Sequence, residues 1–140
     1  MKQLQVKPEY FLAFILTVAA ALRFYNLSGM SLMNDELSML ARTHYSSFSH
    51  LINLGVKPDV HPAGMQVFIF YWIKLFGDDV WIIRLPIAFA GVLSVFMIYK
   101  TGVIWFNKNT ALFAAAALAA LQFPLLYSQL IRMYTPGLLS

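Results

Sequence analysis

The chain has 140 residues, 60% of them hydrophobic and 11% charged, with a mean hydropathy of +0.68, whereas soluble domains run to about 45–50% apolar and about 25% charged. This composition describes a membrane protein. The formal net charge of +4 is spread over scattered Lys and Arg residues, which gives nucleic-acid binding no basis. The absence of cysteine excludes disulfides and a thiol nucleophile.

Crossing a hydrocarbon core of about 30 Å takes roughly 20 apolar residues in a helix. The first run, over 10–27, reaches that length if Arg23 snorkels and Phe24 and Tyr25 lie at the interface. No small-residue cleavage pattern follows Leu22, so it reads as a retained anchor rather than a signal peptide.

The next stretch, 28–84, reads as an external loop with two interfacial helices. In the first, over 35–54, Leu37, Leu40, Ala41, Tyr45, Phe48, Leu51 and Ile52 recur at helical steps, opposite Ser38, Arg42, Ser46 and Asn53. A break follows at Lys57-Pro58. The second covers 62–76, with Pro62 suited to a first helical position and Gly77 to the residue after the end. Its apolar part, Ala63 to Phe76, would extend about 21 Å as a helix, which favours an interfacial segment over a span. A true span turning back into the cytoplasm is the alternative.

Two further runs can span, over 85–106 and 111–127. Lys2 and Lys7 precede the first span, and Lys100 and Lys108 bracket the connection between the other two. The positive-inside rule then places those regions in the cytoplasm and leaves the 28–84 loop, and the start of a second loop over 128–140, outside. The expected fold is all-α and integral to the membrane, with about three transmembrane helices and two interfacial amphipathic helices in the first external loop. It forms a single module over 1–140, expected to be the N-terminal part of a longer chain.

The adjacent acids Asp35 and Glu36 admit two readings. Acids in a first helical turn, behind Asn34 as a cap, interact favourably with the helix dipole. Alternatively, one carboxylate at the outer membrane surface acts as general base toward an acceptor while its neighbour binds substrate or a cation. His61, two residues after Asp59, is a weak metal ligand in the absence of a third donor; hydrogen bonding to its loop or to a sugar fits better. His44 and His50 have no evident chemical partner. Arg84 and Arg132 lie at the outer ends of the second and third spans, either snorkelling to headgroups or presenting a fork of donors to a lipid phosphate. Tyr127, Ser128, Gln129 and Tyr134 gather around the same exit. The chain carries no Walker loop, dinucleotide fingerprint, Ser-His-Asp pattern or H-E-x-x-H.

Taken in order, Asn34-Asp35-Glu36, Asp59-Val60-His61-Pro62, Leu75-Phe76-Gly77, Arg84-Leu85-Pro86 and Ser128 to Tyr134 resemble the start of the protein O-mannosyltransferase-like and aminoarabinose-transferase-like glycosyltransferases of the GT-C fold. The resemblance implies an inverting transferase that moves a sugar from a polyprenyl-phosphate donor to a lipid, glycan or protein acceptor on the extracytoplasmic face of a bacterial inner or plasma membrane. It also implies Asp35 as the catalytic acid residue, Glu36 as its acidic neighbour and His61 as the histidine of a His-Pro-Pro element, in which Ala63 here replaces the second proline. Arg84, Arg132 and Tyr134 would attend the donor. No particular cofactor is implied, and a divalent metal is admitted. The remaining part of the enzyme or a partner subunit would complete the site, so this stretch alone is expected to be inactive. The competing expectation is a non-catalytic membrane subunit or lipid-binding scaffold.

Overall fold

The structure, a computed structural model, describes residues 8–29, 31–58 and 63–130. Among these every regular element is helical: α1 (Pro8–Phe24), α2 (Asn34–Thr43), a single turn α3 (Phe48–His50) running into a π-helical turn (Leu51–Val56), α4 (Ala63–Phe76), α5 (Val80–Trp105), α6 (Lys108–Ala120) and α7 (Gln122–Tyr127).

Helices α1, α5 and α6 pack into one cluster around Ala19, Val95, Tyr99, Ala111, Ala115 and Ala119. Alanines at four-residue spacing on α6 form a smooth ridge, and small residues of this kind let helix backbones approach closely where lipid supplies no hydrophobic drive. At Gly102 the approach is at its limit, since a Cβ there would stand 2.9 Å from the Ala111 Cα. Large apolar side chains on the outer surface of the cluster, including Phe14, Phe89, Leu93, Met97 and Phe113, are exposed. This is the surface a lipid environment accommodates and water does not.

Of the described helices only α5 is both long and apolar enough to cross a membrane by itself, with 26 residues and a hydropathy of 2.0. The span expected over 85–106 thus begins five residues early and takes in Arg84, with Pro86 inside the helix. Pro86 has no N–H to offer the Ile82 carbonyl one turn back. The Trp72 indole of α4 donates to that carbonyl instead, at 2.9 Å, which ties α4 to the first turns of α5.

The span expected over 111–127 is interrupted. Leu121 is extended (φ −61°, ψ 130°) and separates α6 from α7. Pro124 is the physical reason: it cannot donate to the Ala120 carbonyl, but it fits the first turn of a new helix. Arg23 does not snorkel. It is buried, and its guanidinium donates to the carbonyls of Leu118 at 3.1 Å, Ala119 at 3.4 Å and Ala19 at 3.3 Å.

The helix expected over 35–54 breaks at His44 to Ser47, where Ser47 caps the next turn through a bond from the His50 N–H at 3.3 Å. The His-Tyr-Ser-Ser sequence is poor in helix formers, and serine hydroxyls compete for backbone groups. The buried face of α2 also differs from the periodic one. Glu36, Met39, Leu40 and Thr43 face inward, whereas Leu37 is exposed. Met39 and Leu40 join Ile69 of α4 and Ile83 of α5 in a second apolar cluster. Helix α4 covers 63–76 of the 62–76 expected, Pro62 lying outside the described residues, and Gly77, at φ +101°, ends it with an N–H bond to the Ile73 carbonyl at 2.9 Å. That conformation favours glycine.

Candidate active site

Asp35 and Glu36 are neighbours in the first turn of α2 and have opposite surroundings. Glu36 is fully buried, whereas Asp35 is exposed. Met33, rather than Asn34, occupies the capping position. The Glu36 carboxylate reaches back and accepts from the Met33 N–H at 3.0 Å, satisfying one of the donors that every helix start leaves unpaired.

The same carboxylate receives Arg84 in a two-point contact. Arg84 Nε donates to Oε1 at 3.2 Å and Nη2 to Oε2 at 2.9 Å, the planar fork-to-fork geometry that makes Arg–carboxylate pairs directional. Nη1 also donates to the Leu27 carbonyl at 2.7 Å and Nη2 to that of Ser31 at 3.4 Å. One guanidinium, 1% exposed, therefore gathers the start of α2, the connection from α1 and the first turns of α5. An ion pair buried this deeply gains little over an apolar replacement, but loss of one partner leaves an uncompensated charge and costs about 3–5 kcal/mol.

This arrangement bears directly on the residues singled out in the sequence. Glu36 and Arg84 are brought together and held by one another. Asp35 is the carboxylate turned outward, on a helix end whose position and rotation the pair fixes. The pairing was hard to read in advance because its members lie 48 positions apart. A carboxylate at the third helical position is nevertheless a recognisable capping signal. Asp59, His61, Arg132 and Tyr134 lie outside the described residues. Among the described residues no group of three or more acidic or histidine side chains is placed to hold a metal ion.

Arg84 contacts the chain leaving α1, and Arg23 contacts the end of α6. The end of α1, the start of α5 and the end of α6 therefore share one end of the helix cluster, and Asp35 belongs to that end. Lys100 and Lys108 flank the α5–α6 connection at the other.

Helical architecture throughout the described residues, one helix apolar and long enough to span, and polar chemistry gathered at one end of the helix cluster fit the class of membrane proteins. Residues 60–139, more than half of the chain, match the model of the dolichyl-phosphate-mannose-protein mannosyltransferases, and the chain belongs to that family. It is accordingly a membrane glycosyltransferase of the GT-C type, from a family that uses a lipid-linked sugar donor and an acceptor, as the ordered motifs led us to expect. The matched segment includes Arg84, His61, Arg132 and Tyr134, while Asp35 and Glu36 precede it. No curated protein and no solved structure matches the chain.

Proposed function

We propose that the chain forms the N-terminal module of an inverting glycosyltransferase in which Asp35 is the general base and the donor is a polyprenyl-phosphate sugar. The observation that carries this reading is the contrast between the two acids: Glu36 is buried against Arg84 and serves position, while its exposed neighbour is presented on a rigid helix start. A base needs such a fixed mount, because misplacement by about 1 Å can cost 10²-fold in rate.

In this step the Asp35 carboxylate accepts the proton of an acceptor hydroxyl or amine. The freed electron pair forms a bond to the anomeric carbon as the bond from that carbon to the phosphate oxygen breaks. The oxygen keeps the bonding pair and departs as polyprenyl phosphate, and attack from the opposite side inverts the anomeric centre. Arg84 is engaged by Glu36, so we assign it to positioning. Arg132 is assigned to the donor phosphate, with His61 and Tyr134 at the sugar and headgroup. Lys100 and Lys108, at the opposite end of the cluster from Asp35, support an extracytoplasmic site through the positive-inside rule.

The test is Asp35→Asn in the native protein, assayed in membranes with a panel of polyprenyl-phosphate sugars. A general base supplies about 10²–10⁴-fold in rate, so turnover falls by that factor while folding and donor binding persist. Near-normal turnover would remove Asp35 from the role.

A further inference from the structure

Helices α1 and α6 end side by side, and each leaves carbonyls without helical partners and a partial negative charge. Their capping is crossed. Arg23, from the last turn of α1, donates to the Leu118 and Ala119 carbonyls that end α6. Gln129, just beyond α7, donates through Nε2 to carbonyls in the last turn of α1 and just past it: Leu22 at 3.0 Å, Arg23 at 3.2 Å and Tyr25 at 3.2 Å. Third in the node is Gly91 of α5, where a Cβ would stand 2.5 Å from the Ser128 Cβ and 2.9 Å from Arg23 Nε. Ser128 is itself buried and bonded to the Leu125 carbonyl at 2.6 Å.

The crossing has a geometric consequence. The chain leaving α1 is bound on one side by Gln129, at the start of the second external loop, and on the other by Arg84, through the Leu27 and Ser31 carbonyls. The segment from Leu22 to Ser31 thus connects the mount of Asp35 to the point where the 131–140 segment begins. Arg23 supplies a positive charge between two negative helix ends, and Gln129 supplies a neutral donor where a carboxylate would be repelled.

We propose that Gln129, with Arg23, is a positioning residue of the transferase: it sets the start of the second external loop relative to Asp35. The proposal rests on the reading of Asp35 as base. Gln129→Glu keeps the shape but removes the donor and adds a negative charge beside three carbonyls. Gln129→Lys keeps a donor and adds the charge that a helix C-terminus favours.

Cysteines placed at exposed Ser38 of α2 and Gln122 of α7 in the native protein, on an otherwise cysteine-free background, and spin-labelled in membranes report the distance between the mount of Asp35 and the helix that leads into the second loop. The distribution stays as narrow as wild type in Gln129→Lys and broadens in Gln129→Glu. In parallel, kcat with polyprenyl-phosphate mannose falls about 10- to 100-fold in Gln129→Glu, with donor KM unchanged, and recovers in Gln129→Lys. An unchanged distance distribution in Gln129→Glu overturns the proposal, as does a turnover loss that merely tracks the amount of folded protein. Asp35→Asn leaves the distances unaltered, so failure of the base assignment is read separately from failure of the positioning role.

Discussion

At the scale of single residues, the pair of acids divides its work by burial. Both are carboxylates on successive positions, yet only Glu36 faces the interior, where Arg84 compensates its charge. The expected consequence is a stability effect. Glu36→Gln keeps the volume but leaves the guanidinium without its anion, and destabilises the protein by about 3–5 kcal/mol. Arg84→Lys loses the planar fork and the carbonyl contacts made through it, so it too lowers the thermal midpoint in detergent. Donor affinity remains near wild type in whatever fraction of each variant stays folded. If either variant instead kept full stability and lost donor binding, Arg84 would return to the phosphate role its place in the sequence favoured. Position along the chain was sufficient to single out both residues, because acids at a helix start and an arginine at the edge of an apolar run are local signals. Their partnership is a tertiary fact and has no local signal.

At the scale of elements, helices were legible and their interruptions less so. The apolar run from Ala63 to Phe76, ended by Gly77, yielded α4 at its observed bounds because the stop signal is local. The break at Leu121 was missed although Pro124 stands in plain view, since a proline two or three residues into a new helix is tolerated. The rotation of α2 was also misread, because Glu36 is drawn inward by Arg84 against the hydrophobic pattern. Pro86 offers a test of how elements are joined. The Ile82 carbonyl, released by the proline, is taken by Trp72. Trp72→Phe then costs about 1–2 kcal/mol through one unsatisfied acceptor. In a Pro86→Ala background the backbone regains an N–H at that position that can serve Ile82, so the same tryptophan change costs less. A double-mutant cycle on thermal unfolding measures the coupling, and a coupling of zero would mean that the indole bond and the proline act independently.

At the scale of the whole molecule, the paired capping at Arg23 and Gln129 and the ion pair at Arg84 put both loop starts at one end of the helix cluster. The α5–α6 turn, flanked by Lys100 and Lys108, lies at the opposite end. Only α5, among the described helices, has the length and hydropathy to cross unaided, so a three-span arrangement needs α1 to use its flanking turn, and α6 to act together with α7 across the break at Leu121. Accessibility to a membrane-impermeant thiol reagent decides this. With single cysteines at exposed Asn53, Asp78 and Lys108, Asn53→Cys and Asp78→Cys label from the outer side and Lys108→Cys only after the membrane is opened. The Asp78 position carries the most information, because it follows α4. That helix has 14 residues and would cover only about 21 Å against a core of about 30 Å. Its anchorage to α5 through Trp72 and Ile82, beside the end of the cluster that bears Asp35, also favours lying at the interface. Labelling of Asp78→Cys from the inner side would make α4 a span and reverse the orientation of α5. Labelling of Asn53→Cys and Lys108→Cys from the same side would dismantle the three-span arrangement itself.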